Sequence, residues 1–325
     1  MAGTFYDQIA ANRRNSVLLA LVVVALLAAL GFAVGYALTG EPAGGAGATL
    51  IAIVIGTLLA MGSYFGGDKL VLSVSGAKPV TQESAPQLMN VVREMSIAAN
   101  VPMPEVYLIE DTAPNAFATG RDPEHASVAV TTGLLEKLDR EELQGVIGHE
   151  LSHVRNFDIR FSLIVGVLVG SIALLADFFL RWTWFGGGRR GRDRDGGGGG
   201  GAAAIMFVVA IVLAIVAPIV ARFVQMAVSR QREYLADASA IDLTRNPYGL
   251  ERALAKISTD KEVLEVANRA TQHLYFTNPI KKFEERSSNL FSTHPAIVDR
   301  INRLRQLTGE GPLEAAEVAG LAGLD

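Results

Sequence analysis

The apolar residues of this chain fall into four long uninterrupted runs, separated by stretches in which they recur periodically. Residues 17–38 follow Arg13 and Arg14 with no charge among them, which at about 1.5 Å per residue is enough to cross a hydrocarbon core of roughly 30 Å. A second run, 47–65, begins after a Gly/Pro-containing turn at 40–46 and meets no charge until Asp68. The two predict a transmembrane helical hairpin over 17–65, and the length of the first run argues against a cleaved signal peptide. Residues 1–16 and the soluble region after the hairpin then share a face, and Arg13 and Arg14 place that face in the cytoplasm.

Runs 161–180 and 202–221 predict a third and a fourth apolar helix within 159–221. Between them, 186–201 is mostly glycine with Arg189, Arg190, Arg192, Asp193, Arg194 and Asp195, which predicts a flexible, disordered loop. If both runs span, these arginines and Arg181 lie on the far side, against the positive-inside tendency. Arg13, Arg14, Lys69, Lys78, Arg155, Arg160, Arg222, Arg230 and Arg232 on the near side outnumber them, so four spans are expected. Asp177 lies close enough to the end of run three to reach the interface.

The intervening stretches are periodic. Residues 66–158 predict the first part of a soluble catalytic domain and 222–325 its second part. Ser84 followed by Pro86 marks a helix start, and Leu88, Val91, Val92 and Met95 give that helix one apolar face up to Asn100. Residues 105–109 and 127–131 read as short strands separated by a turn-rich segment with Pro114, Asn115, Gly120 and Pro123. Asp139 with Glu142 predicts a capping box. The helix it opens has no breaker until well past His153 and is expected to merge into run three. Breaks follow near Pro247, Pro279 and Pro295.

Half of the residues are hydrophobic and the mean hydropathy is +0.30, too apolar for an ordinary soluble enzyme. A net charge of -4 gives no nucleic-acid footprint, and no nucleic-acid partner is expected. The absence of cysteine excludes disulfides, thiolate nucleophiles and Cys-ligated zinc, so any metal must be held by imidazole and carboxylate.

His149, Glu150 and His153 spell H-E-x-x-H on a predicted helix. Positions i and i+4 share a face, so both imidazoles can reach one ion. Glu150 can take a proton from an attacking water without ligating the metal, as a general base must. The bland alternative is a surface helix with two solvated histidines. A catalytic zinc site needs a third protein ligand, for which His125, His273, His294 or a carboxylate are available. Glu233 is the choice, because Asp237 one turn on is placed to accept a hydrogen bond from a ligating imidazole. The alternative for Glu233 and Asp237 is a solvated charged face below a membrane helix. His149 precedes the core of run three, and Glu233 follows run four, each by about ten residues, which puts both roughly 15 Å from the lipid on unbroken helices. His125 and His273 read as loop or surface residues.

The ordered set of an apolar hairpin, Pro114-Asn115-Ala116-Phe117-Ala118, the H-E-L-S-H helix, two further apolar runs, Arg232-Glu233-Tyr234-Leu235-Ala236-Asp237 and Phe291-Ser292-Thr293-His294-Pro295 resembles the HtpX-type membrane zinc metalloproteases, relatives of the CAAX prenyl proteases. The likeness covers nearly the whole chain and departs from the family in the Gly/Arg loop. It implies one Zn2+ per chain held by His149, His153 and Glu233, with Glu150 as base and Asp237 orienting a ligand. It also implies a multi-pass protein of the cell membrane that cleaves misfolded or damaged membrane proteins and unfolded polypeptides on the cytoplasmic side, in stress-related quality control. For His294 two readings stand: a ring beside a helix cap, or a donor to the developing oxyanion. Asn115 is either an ordinary turn residue or, with strand 127–131, a backbone ladder for an extended substrate.

The expected fold is a mainly α membrane protein, with four apolar helices and an α+β zincin-like catalytic domain holding a small β-sheet. The rival functions are a non-catalytic zinc-binding scaffold that holds client proteins and a CAAX-type processing protease. A structural zinc site would have no use for Glu150, and a CAAX-type chamber would need more membrane helices. Oligomeric state is not legible.

Overall fold

The computed structural model describes residues 39–164, 230–260, 262 and 295–323, together with scattered positions between 10 and 36 that are all helical. Most of runs three and four, the Gly/Arg loop, Asp177, His273 and His294 lie outside the described residues. Among the described residues one helix, α1 (Pro42–Val74), is long and apolar enough to cross a membrane, over Pro42–Leu59. Its large side chains at Leu50, Ile51, Val54, Ile55 and Leu58 are exposed, as a lipid-facing surface requires. The first apolar run packs close against it. A Cβ on Gly35 would come 2.4 Å from the Gly44 carbonyl oxygen, and one on Gly31 would come 2.7 Å from the Ala52 side chain. Glycine in these places lets two backbones approach where lipid gives no hydrophobic drive for association.

α1 continues beyond the apolar stretch into the polar part of the chain. Its last turn contributes Val71 and Leu72 to a cluster with Ile109, Ala113, Phe117, Ala129 and Leu163. The sheet they meet has four strands in the order β1 (Lys78–Pro79), β2 (Glu105–Ile109), β4 (Ala126–Thr131), β3 (Ala116–Gly120). β2 and β4 are parallel, while β1–β2 and β3–β4 are antiparallel. Alternation along the strands divides the sheet between two cores. Phe117 and Ala129 belong to the α1 side, whereas Ala116, Ala118, Val128 and Val130 join Leu88, Val91 and Val92 of α2 (Pro86–Ala99) and Leu143, Val146 and Ile147 of α4. Full burial of each larger side chain contributes about 1.5–3 kcal/mol.

After α3 (Thr132–Lys137), α4 (Arg140–Arg155) carries the H-E-x-x-H residues. It starts in the expected capping box, Glu142 N–H to Asp139 Oδ1 and Asp139 N–H to Glu142 Oε2, both 2.9 Å. The second part of the chain supplies α5 (Arg230–Thr244), α6 (Pro247–Thr259), α7 (Ile297–Thr308) and the short α8 (Ala315–Leu321).

Three expectations are corrected. α4 does not run on into the third apolar run: it ends at Arg155, and the chain turns through Asn156 and Phe157, whose φ of 61° is left-handed, before helix resumes at 158. The depth of His149 therefore does not follow from an unbroken helix. The segment after Pro114 contains strand β3, because its small residues hide the alternation that identified its neighbours. Strand 127–131 lies inside the sheet, paired on both sides, and among the described residues the edges are β3 and the two-residue β1. The helix start expected at Ser84 and Pro86 is met: α2 begins at Pro86 behind Ala85 with no side-chain cap, and the Ser84 hydroxyl bonds Thr81.

Candidate metal centre

α4 and α5 lie against each other, and this contact brings His149, His153 and Glu233 together with ligand atoms all within 4.8 Å of one another. His149 Nε2 is 3.1 Å from His153 Nε2, and the Glu233 carboxylate oxygens are 3.7 and 3.6 Å from them. Two nitrogens each about 2.0–2.1 Å from a tetrahedral zinc stand roughly 3.3 Å apart, so the spacing fits a single ion.

The opposite ring nitrogens explain the aim of the imidazoles. His149 Nδ1 is 2.8 Å from Asp237 Oδ1, and His153 Nδ1 is 2.9 Å from Asp158 Oδ2. A carboxylate fixes the proton on each Nδ1, which leaves both Nε2 lone pairs directed at the same point. Without a metal ion between them, a proton on one Nε2 has to take its place. The surrounding charge points the same way. The buried carboxylates of Glu150, Asp158, Glu233 and Asp237 face the two guanidinium groups of Arg232 and Arg300, an excess that a divalent cation cancels.

Metal-free, the pair titrates asymmetrically. Burial pushes His149 down to about 4, against the hydrogen bond to Asp237. Burial also opposes a charge on His153, but the Asp158 hydrogen bond and Glu233 raise it to about 9. Asp237 stays below the usual carboxylate range despite burial, because Arg300 and His149 both favour its anion.

Glu150 is buried beside this pair, and burial lifts its carboxyl to about 7. It accepts a hydrogen bond from the backbone N–H of Ala118 on edge strand β3, which fixes the general-base candidate against that strand. A base titrating close to neutrality is suited to taking and returning a proton. Asn115, just before β3, is buried; its N–H bonds Thr131 Oγ1 and its Oδ1 accepts from Ala116 N–H. His125 is on an exposed turn beside Asp122.

The sequence reading did not single out Asp158 or Arg300. In an unbroken helix Asp158 would point about 140° away from His153, and only the turn at Phe157 returns it. Arg300 had a legible signal. It occupies the apolar stripe Ile297, Arg300, Ile301, Leu304 of α7, where a charge requires a buried partner.

Comparison with known proteins adds the following. Residues 82–308 match the peptidase family M48. The chain is 45% identical over 302 residues to a protein named "Protease HtpX homolog" from Streptococcus gordonii, covering 93% of this chain and 99% of that protein. Proteins of the same name from Streptococcus uberis and Ligilactobacillus salivarius are each 44% identical with the same coverage. Among solved structures, the crystal structure of S. mikatae Ste24p is a loose likeness, 15% identical with a TM-score of 0.44, covering 78% of this chain and 57% of that one.

Proposed function

Since this chain belongs to peptidase family M48, we propose that it is a membrane zinc metalloendopeptidase. His149, His153 and Glu233 would hold the ion, and Glu150 is the base. The observation that carries this reading is the convergence of two Nε2 lone pairs and one carboxylate, with a second carboxylate alongside that is left out of the ligand set. When bound, zinc supplies Lewis acidity that polarises the peptide carbonyl and lowers the pKa of water. Glu150 takes the proton of the attacking water at its carboxylate and returns it to the leaving amine. Ala118 N–H holds Glu150 in place, and Asp237 and Asp158 hold the imidazoles.

A substrate laid along β3 would meet the edge of this sheet that lies beside Glu150, which supports an extended polypeptide as the ligand. Asn115 then acts by anchoring the start of that edge to Thr131. His294 is assigned the oxyanion donor role on the resemblance alone. Substrates are proposed to be misfolded or damaged membrane proteins, cleaved at the cytoplasmic face in quality control. The relatives are named as proteases and α1 is apolar, which supports proteolysis at a membrane; the proposed cytoplasmic face rests on the near-side excess of Lys and Arg, and four spans on the lengths of the apolar runs.

Replacing Glu150 with Gln tests the proposal. Cleavage of an unfolded polypeptide should fall by roughly 10²–10⁴-fold, while zinc content stays at one per chain. Full activity in Glu150→Gln would refute the assigned base.

A further inference from the structure

Arg300 is the largest fully buried side chain among the described residues, 1% exposed, and it comes from α7, an element outside the two helices that carry the proposed ligands. Its Nε donates to Asp237 Oδ2 at 2.9 Å and its Nη2 to Asp237 Oδ1 at 2.6 Å, a two-pronged contact that only a guanidinium can make. The same Oδ1 accepts from His149 Nδ1. Nη2 also stands 3.4 Å from that Nδ1, but both are donors, so this is two donors meeting one oxygen and not a hydrogen bond between them. Arg300 thereby fixes both oxygens of the carboxylate that fixes the imidazole.

His153 has a parallel arm: its partner Asp158 lies 3.4 Å from Nη1 of Arg232, whose guanidinium stacks over Phe161. Each imidazole is thus backed by a carboxylate and each carboxylate by a buried arginine. The Arg232 arm is the longer contact and comes from α5 itself. The Arg300 arm reaches across from the far end of the sequence.

We propose that Arg300 is a positioning residue for the metal site, acting through Asp237 to hold His149 with Nδ1 protonated and Nε2 directed at the ion. The docking of α7 is thereby part of assembling the site. This rests on the metal assignment made above. The role predicts dependence on the fork and not on charge alone, since a lysine in this position could reach only one oxygen of Asp237.

The test is zinc affinity of the purified full-length protein, measured by competition with a chromogenic chelator at one pH. Arg300→Met should weaken binding roughly 10–100-fold, the usual consequence of losing support behind a ligating histidine. Asp237→Asn should weaken it by a similar factor. The double variant should lose clearly less than the product of the two single losses, because Arg300 acts mainly through Asp237, its Nη1 standing 4.0 Å from Glu233 Oε2 while its Nε and Nη2 hold Asp237 at 2.9 and 2.6 Å. Arg300→Lys, which keeps the charge and the bulk, should remain weaker than wild type and serves if Arg300→Met does not fold. Wild-type affinity in Arg300→Lys, or losses that multiply in the double variant, would overturn the proposal. A wild-type protein that binds no zinc, or whose affinity is unchanged by His149→Ala, would remove the metal assignment itself, before Arg300 enters.

Discussion

His149 and His153 have the same neighbours in kind and opposite titration behaviour, which makes the metal-free protein sensitive to pH. His153, raised from 6.5 to about 9, contributes stability that is fully present below about 6.5 and is lost as pH rises through about 9. Glu150, raised to about 7, acts in the same sense and loses its contribution by about 7. His149, lowered to about 4, contributes above its ordinary 6.5 and loses that only as pH falls towards 4, so it does not oppose the trend. The melting temperature of chelator-treated protein should therefore fall between pH 6.5 and 9, while zinc-loaded protein should stay nearly level because the ion replaces the proton on His153. Thermal melts across that range check this, and a flat metal-free profile would contradict it. At this scale the H-E-x-x-H residues, Glu233 and Asp237 could be singled out from spacing, since i and i+4 fix a helical face. Arg300 could have been found as a charge on an apolar stripe. Asp158 could not, because its position depends on a left-handed backbone at Phe157 that a bulky residue seldom adopts.

The elements owe their arrangement to a few close contacts. A Cβ on Gly145 of α4 would come 2.7 Å from the backbone nitrogen of Leu250, and one on Gly249 would come 2.6 Å from the Glu141 carbonyl, so α4 and α6 touch backbone to backbone. His149 is one turn along from that contact. Ala has better helix propensity than Gly by up to about 1 kcal/mol, but overpacking against backbone costs about 1–3 kcal/mol. Gly145→Ala should therefore lower stability by about 1–2 kcal/mol, read as a lower melting temperature. An unchanged or raised melting temperature would show that α6 can move away freely. The helix over 86–99 and the strand over 105–109 were legible because their apolar residues keep a clean period. β3 was not: Ala116, Ala118 and Gly120 carry too little side chain to mark an alternation, and Pro114 and Asn115 gave a stronger turn signal.

For the whole molecule, the second apolar run was legible from its length alone, whereas the way it joins the catalytic domain was not, because the same helix continues past the apolar run to Val74 and its last turn, with Val71 and Leu72, serves as core for the sheet. The chain has no cysteine, so single introduced thiols report its orientation. Glu41 is exposed at the hairpin turn, and Glu136 is exposed on α3. On intact cells an impermeant maleimide should label Glu41→Cys and spare Glu136→Cys. The opposite pattern would invert the proposed topology. α1 itself is one unbroken rod of 33 residues, about 50 Å long, rooted in lipid at one end and wedged under the sheet at the other. With no break along it, a bilayer thinner than its apolar stretch makes the rod lean, and the sheet wedged on its far end leans with it.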